Sequence, residues 1–223
     1  MNAKSRLHET TGTRSALIEA AAEVFAEVGF HHARVRAICH LAGANVAAVN
    51  YHFGDKERLY AEVIRESFCR VMARYPLDLD VAKGVTAADR LRAFVRAYFL
   101  RIFAIDGDTR HSRMIMREMV EPTAALDQLI QHVVRPTSEV LEGILQELLG
   151  PGVPEATRRL CGMSIVGQAL FYIHCQPVIL RAFPDVRIGE AEIDRLAAHV
   201  TAFSLAGIRA LRDAAKKPAR KSS

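Results

Sequence analysis

The sequence predicts an all-α protein, and three observations carry the prediction. Half of the 223 residues are hydrophobic, while glycine (13), proline (8) and tryptophan (none) are scarce beside frequent Ala, Leu, Arg and Glu, a bias towards helix. Apolar side chains recur at three-and-four spacing along most of the chain. Nowhere does the alternation of a half-buried strand appear. The length suffices to bury a core, as one large domain or two small ones. No apolar run approaches the roughly 18 residues of a membrane span. The start, Met1-Asn2-Ala3-Lys4-Ser5-Arg6, lacks the hydrophobic region of a signal peptide, so a cytoplasmic location without a membrane partner is expected.

Taken in order, the first helix is opened by Thr13, with residues 1 to 12 frayed before it, and has an apolar face of Leu17, Ile18, Ala21, Val24, Phe25 and Val28. Gly29 terminates it. Val35, Ile38 and Ala42 put one apolar stripe on a short second helix, which Gly43 stops because glycine tolerates the left-handed conformation of a helix end. Asn45 can cap a third helix by accepting a backbone N–H, and Val49 and Phe53 then point back to the core at i and i+4. Gly54 ends that helix. Asp55 caps a fourth, with Leu59, Val63, Ile64, Phe68 and Val71 inward until Pro76. Lys56 in its first turn opposes the preference for negative charge at a helix start, and a phosphate placed there would reconcile the two.

Beyond a connector at 76–85, Thr86 and Asp89 form a capping arrangement for a helix with Leu91, Phe94, Val95, Tyr98, Ile102 and Ile105 inward, ending at Gly107. A helix at 109–120 carries Met114, Met116 and Met119. Another runs from Ala124 to Leu149 and is kinked or split by Pro136. A further one runs from Pro154 through Cys175. The last, about 189–214, bears Ile193, Leu196, Val200, Phe203, Gly207 and Leu211 in one stripe, for nine or ten helices altogether. The formal charge of +5 is concentrated at 209–223, where six cations face Asp213 alone, so 215–223 is expected to be a basic, disordered tail. Charge alone is therefore a weak argument for nucleic acid. Cys39, Cys69, Cys161 and Cys175 lie scattered in apolar stretches and are expected to be buried, reduced thiols.

The stretch with the most functional content is 33–56. Core anchoring through Val49 and Phe53 leaves Val46, Ala47, Ala48, Asn50 and Tyr51 on or near the outer face of the third helix. These side chains are uncharged and mostly small. Methyl groups can touch thymine methyls, an Asn amide can pair bidentately with adenine, and no long charged side chain holds the backbone off the bases.

Gly29-Phe30, Ile38 to Gly43 and Tyr51-His52-Phe53-Gly54-Asp55-Lys56-Glu57-Arg58-Leu59 together resemble the N-terminal helix-turn-helix domain of TetR-family transcriptional regulators, over residues 13 to 60. Ala33-Arg34 stands where that family usually has Thr or Ser, and Ala47-Ala48 where it often has Gly and Thr. The strings Asn45 to Phe53 and Met116 to Thr123 are similar to the subgroup with a CecR-type C-terminal domain. The resemblance implies a DNA-reading domain at 1–53, a connecting helix at 55–75, and a larger helical ligand-binding and dimerisation domain at 76–214. Candidate DNA-binding residues are Arg34, Arg36, Asn45, Val46, Ala47, Ala48, Asn50, Tyr51, His52 and Lys56. The implied partners are double-stranded DNA carrying a near-palindromic operator, an unidentified small-molecule effector and a second copy of the chain. The implied action is that of a repressor released from its operator by the effector.

Two further sets complete the reading. Phe99, Phe103, Met114, Arg117, Glu118, Phe171 and His174 are candidates to line an effector pocket, with Arg117, Glu118 and His174 the polar groups within apolar helical layers. Leu160, Gly167, Phe171, Val200, Phe203 and Gly207 are candidates for a dimer interface, because the 155–175 helix is apolar nearly all round and must be covered on more than one side. No phosphate-binding glycine loop, nucleophile elbow or metal-ligand spacing occurs, so no catalytic residue, metal or cofactor is expected. Two alternatives stand beside the regulator: a helical enzyme with a vestigial DNA unit, and a scaffold that binds only protein. Retention of a palindromic DNA fragment discriminates against both, and turnover of a pocket ligand would favour the enzyme.

Overall fold

The computed structural model describes residues 3–77, 84–103 and 110–216. Among these the secondary structure is helical throughout: α1 (Ala3–His32), α2 (Val35–Leu41), α3 (Val46–His52), α4 (Lys56–Arg74), α5 (Ala87–Phe103), α6 (Arg110–Val120), α7 (Ala125–Leu129), α8 (Arg135–Leu149), α9 (Glu155–His174), α10 (Gln176–Ala182) and α11 (Ile193–Ala215). A π-helical turn, Ile130–Val134, joins α7 to α8. It is the form taken by the interruption expected at Pro136, whose ring nitrogen has no hydrogen to donate up the helix. The expected helix end at Gly107 and the tail beyond Lys216 lie outside the described residues.

The breaks fall where local chemistry puts them. Gly29, Gly43, Gly54 and Gly150 all have positive φ, at 77°, 61°, 89° and 79°. The Asp55 carboxylate accepts from Arg58 N at 2.7 Å and so caps α4. Thr86 Oγ1 accepts from Asp89 N at 3.2 Å and donates to Asp89 Oδ2 at 2.6 Å, which opens α5. Thr13, however, lies inside α1, which already begins at Ala3.

The chain forms two compact units, one within Met1–Val71 and Asp106–Val134, the other within Met72–Ile105 and Arg135–Ser223. In the first, Leu17, Ala21 and Phe25 of α1, Ile38 of α2, Val49 of α3 and Leu59, Val63 and Ile64 of α4 share one core with Met114, Ala125 and Leu129. Helices α6 and α7 thus pack with the N-terminal helices, although their place in the sequence groups them with the larger helical region. In the second unit α5, α8, α9 and α11 all touch one another. Phe94, Phe99, Leu145, Ile165, Leu196 and Val200 lie at their centre. Among the described residues no single helix is long and apolar enough to cross a membrane, and the apolar helices α9 and α10 are bent by 70° where they join.

Candidate nucleic-acid interface

Helix α3 is held at both ends and anchored in the middle. The Asn45 side-chain oxygen accepts from Ala48 N at 2.9 Å. At the other end Phe53 N and Gly54 N both donate to Val49 O, at 2.9 and 3.2 Å. Val49 and Phe53 are buried at 1% and 8% exposure, whereas Tyr51, two residues from either, is 77% exposed. The anchoring leaves Asn45, Val46, Ala47 and Asn50 exposed as well. Ala48 is half-buried, at the edge of that face and packed against the core beside Val49. His52 is half-buried beside the Tyr51 ring, with centroids 5.0 Å apart. The two arginines flanking the start of α2, Arg34 and Arg36, are exposed. Arg34 itself is the N-cap, extended at φ −104° and ψ 128°, and makes no side-chain cap, as expected where Thr or Ser is replaced. The two short helices lock together through Cys39, whose Sγ donates to Asn45 O at 3.5 Å. Burial pushes that thiol's pKa up, which makes it a packing group. Cys161 is buried too, but Cys69 is exposed and Cys175 half-buried, so only two of the four thiols are the core groups expected.

Lys56 has a role that its sequence position concealed. Its Nζ donates to Phe30 O at 3.0 Å and to Ala33 O at 3.3 Å, and it lies 4.3 Å over the centre of the Phe30 ring. The lysine therefore ties the start of α4 to the turn after α1, leaving one N–H for any phosphate. Lys56→Ala should accordingly lower the stability of this unit by about 1–3 kcal/mol in a urea melt followed by circular dichroism. A lysine acting only at phosphate would leave the melt unchanged and flatten the salt dependence of DNA binding by about one unit.

The candidate pocket residues do not share one compact unit. Met114, Arg117 and Glu118 belong to the first. Met114 is a core residue at 1% exposure. Arg117 donates to Glu27 O and Glu118 accepts from Tyr60, so both are engaged within the unit. In the second unit Phe99 is fully buried and stacked on Phe103 at 6.0 Å, while Phe171 and His174 are exposed. Of the candidate interface residues, Leu160, Phe171 and Phe203 are exposed by 64%, 55% and 66%, and nothing lies within 4 Å of a Cβ built at Gly167 or Gly207. Val200 is a correction: it is buried in the core between α11 and its neighbours. A step of three residues rotates about 60° short of a full turn, so the line from Val200 continues to Ser204 and Ile208, while Phe203 and Gly207 occupy the next face.

A short capped helix, anchored by two buried residues and presenting small and amide side chains beside exposed arginines, after a second short helix and a glycine turn, defines a helix-turn-helix DNA-binding unit. The comparisons with known proteins agree. Residues 17–63 match the bacterial regulatory proteins of the tetR family, and residues 87–208 match the C-terminal domain of the HTH-type transcriptional dual regulator CecR. The chain belongs to the TetR family of bacterial transcriptional regulators and carries a CecR-type C-terminal domain. It is 28% identical to CecR of Shigella flexneri over 74% of this chain and 78% of that one. It is 33% identical to the transcriptional repressor NicS of Pseudomonas putida over 43% of this chain, a match that spans 46% of NicS. The structure of the regulator FadR from Bacillus subtilis in complex with stearoyl-CoA has the same fold, with a TM-score of 0.64, 21% identity and coverage of 86% of this chain and 98% of that one.

Proposed function

We propose that the protein is a homodimeric repressor that reads a near-palindromic operator through α3 and is released by a small-molecule effector. The observation that carries the reading is the outward face of α3, where Asn50 and Tyr51 stand exposed beside Ala47 while Val49 and Phe53 hold the helix down. Two such units related by a two-fold axis would enter successive major grooves about 34–36 Å apart. The exposed faces of α9 and α11 support self-association, because large apolar side chains grouped on one surface mark an interaction site. Selection of bound fragments from a random DNA pool tests the function. A palindromic consensus is the expected result, and absence of any enrichment would refute it. Asn50→Ala should weaken binding by about 1–3 kcal/mol and relax one operator position, whereas an unchanged consensus would move the reading face elsewhere.

An effector site in the second unit is supported by two buried hydroxyls without a hydrogen-bond partner, Thr137 Oγ1 and Thr201 Oγ1. Unsatisfied buried donors favour a ligand that supplies acceptors. Because FadR is described with stearoyl-CoA, acyl-CoA thioesters are the first compounds to test. An effector would act only through its differential affinity for the DNA-bound and released forms. Loss of operator binding on titration with long-chain acyl-CoA is the expected result, and unchanged binding would exclude that class.

A further inference from the structure

Arg117 and Glu118 are neighbours on α6, inside the region matched by the CecR-type domain, yet their side chains reach two helices of the DNA-reading unit. Arg117 Nη2 donates to Glu27 O at 2.7 Å, two residues before α1 leaves helical geometry at Gly29. A cation there satisfies one of the orphan carbonyls of a helix end and lies at the negative pole of its dipole. Gly29 takes part in the same contact. A Cβ at that position would come within 2.8 Å of Arg117 Nη1 and 3.4 Å of Arg117 Cδ, and the φ of +77° already disfavours a side chain.

Glu118 holds the other side. It is buried at 1% exposure and accepts from Tyr60 Oη at 2.8 Å, Thr123 N at 3.1 Å and Thr123 Oγ1 at 3.0 Å. The Tyr60 ring meets Phe25 edge-on at 4.7 Å and lies 5.1 Å from Phe30. Phe30 is the residue after Gly29, and Lys56 covers its ring. Helix α6 thus grips the turn from both sides, through Arg117 on the carbonyl before Gly29 and through Glu118 and Tyr60 on the aromatic after it. Helices α2 and α3 depart from this turn, which Ala33 N closes by donating to Gly29 O at 3.1 Å.

We infer that Arg117 and Glu118 are positioning residues for DNA reading, fixing the turn at Gly29 and with it the direction in which α2 and α3 leave α1. Hydrogen bonds specify direction where apolar packing alone would let the helices slide. This role rests on the proposed reading of DNA by α3.

The test uses the full chain and the DNA that the wild type selects from a random pool. Arg117→Ala and Tyr60→Phe should each bind that DNA about tenfold or more weakly, within the range usual for coupling between sites. The selected consensus should stay the same. Amide hydrogen exchange should accelerate in α2 and α3 while the core positions of α4 keep their protection, and Arg117→Lys, which can still donate to Glu27 O, should recover most of the affinity. Undiminished binding by both Arg117→Ala and Tyr60→Phe would overturn the role. Acceleration of exchange throughout the unit in proportion to the lost affinity would also overturn it, since the pair would then support the fold and not the reader's direction. Failure of the wild type to select any sequence would overturn the proposed function and this role together, a result separable from the other two because it appears before any variant is made.

Discussion

Phe203→Arg is expected to give a folded monomer that no longer holds its operator. Phe203 is 66% exposed on α11, on the same face as Gly207, and Leu160, Met163 and Phe171 are exposed along α9 by 64%, 61% and 55%. Neighbours within the chain leave this face open, so the arginine meets no clash in the isolated subunit. In a symmetric dimer the same substitution enters the interface twice, each time as an unpaired cation in an apolar contact, at a cost of several kcal/mol. Gly167→Arg should behave alike, because nothing lies within 4 Å of a Cβ built there. Light scattering reports the assembly state, and a mobility shift on the selected operator reports binding. A single half-site offers too few contacts, so both should fall together. Val200→Arg is the control: at 1% exposure it should unfold the second unit outright. A Phe203→Arg protein that stays dimeric would put the interface on another face.

Val49→Asp should abolish sequence-selective binding by melting the reader while the second unit survives. Val49 is 1% exposed and shares its core with Ile38, Leu59 and Val63. A carboxylate there has to be buried without a partner or protonated, a penalty of several kcal/mol and a large fraction of the stability of a small unit. The second unit has a separate core built from α5, α8, α9 and α11, so most of its helical signal and its self-association should remain. Thermal melting followed by circular dichroism should split into two transitions, the earlier one carrying the loss of DNA binding. Retention of operator binding would mean that Val49 does not anchor α3.

Much of this molecule was legible from residues close together in the chain. The stops at Gly29, Gly43 and Gly54, the caps at Asn45 and Asp55, and the exposure of Asn50 and Tyr51 opposite Val49 and Phe53 follow from interactions within about four positions, the reach of one helical turn. The family resemblance was legible for the same reason, since its landmarks sit in that stretch. The stripe on α11 was read less well. Apolar composition does not say which of two adjacent faces meets the core, and only packing put Val200 inside and Phe203 outside. Beyond one turn the partners of long polar side chains were decided by the tertiary structure alone. Lys56 finds the carbonyl of Phe30 across 26 positions, Tyr60 finds Glu118 across 58, and Arg117 finds Glu27 O across 90. Spacing along the chain carries no information about such pairs, because a flexible side chain bonds whatever acceptor the fold brings within reach. By itself the sequence determined a helical protein of a DNA-binding family and the face of α3 that stays exposed. Tertiary packing decided that α6 belongs with the N-terminal helices and that Arg117 and Glu118 meet the turn at Gly29, since the half-exposed Arg117 bonds the carbonyl within its reach and the buried Glu118 must take the partners that folding supplies.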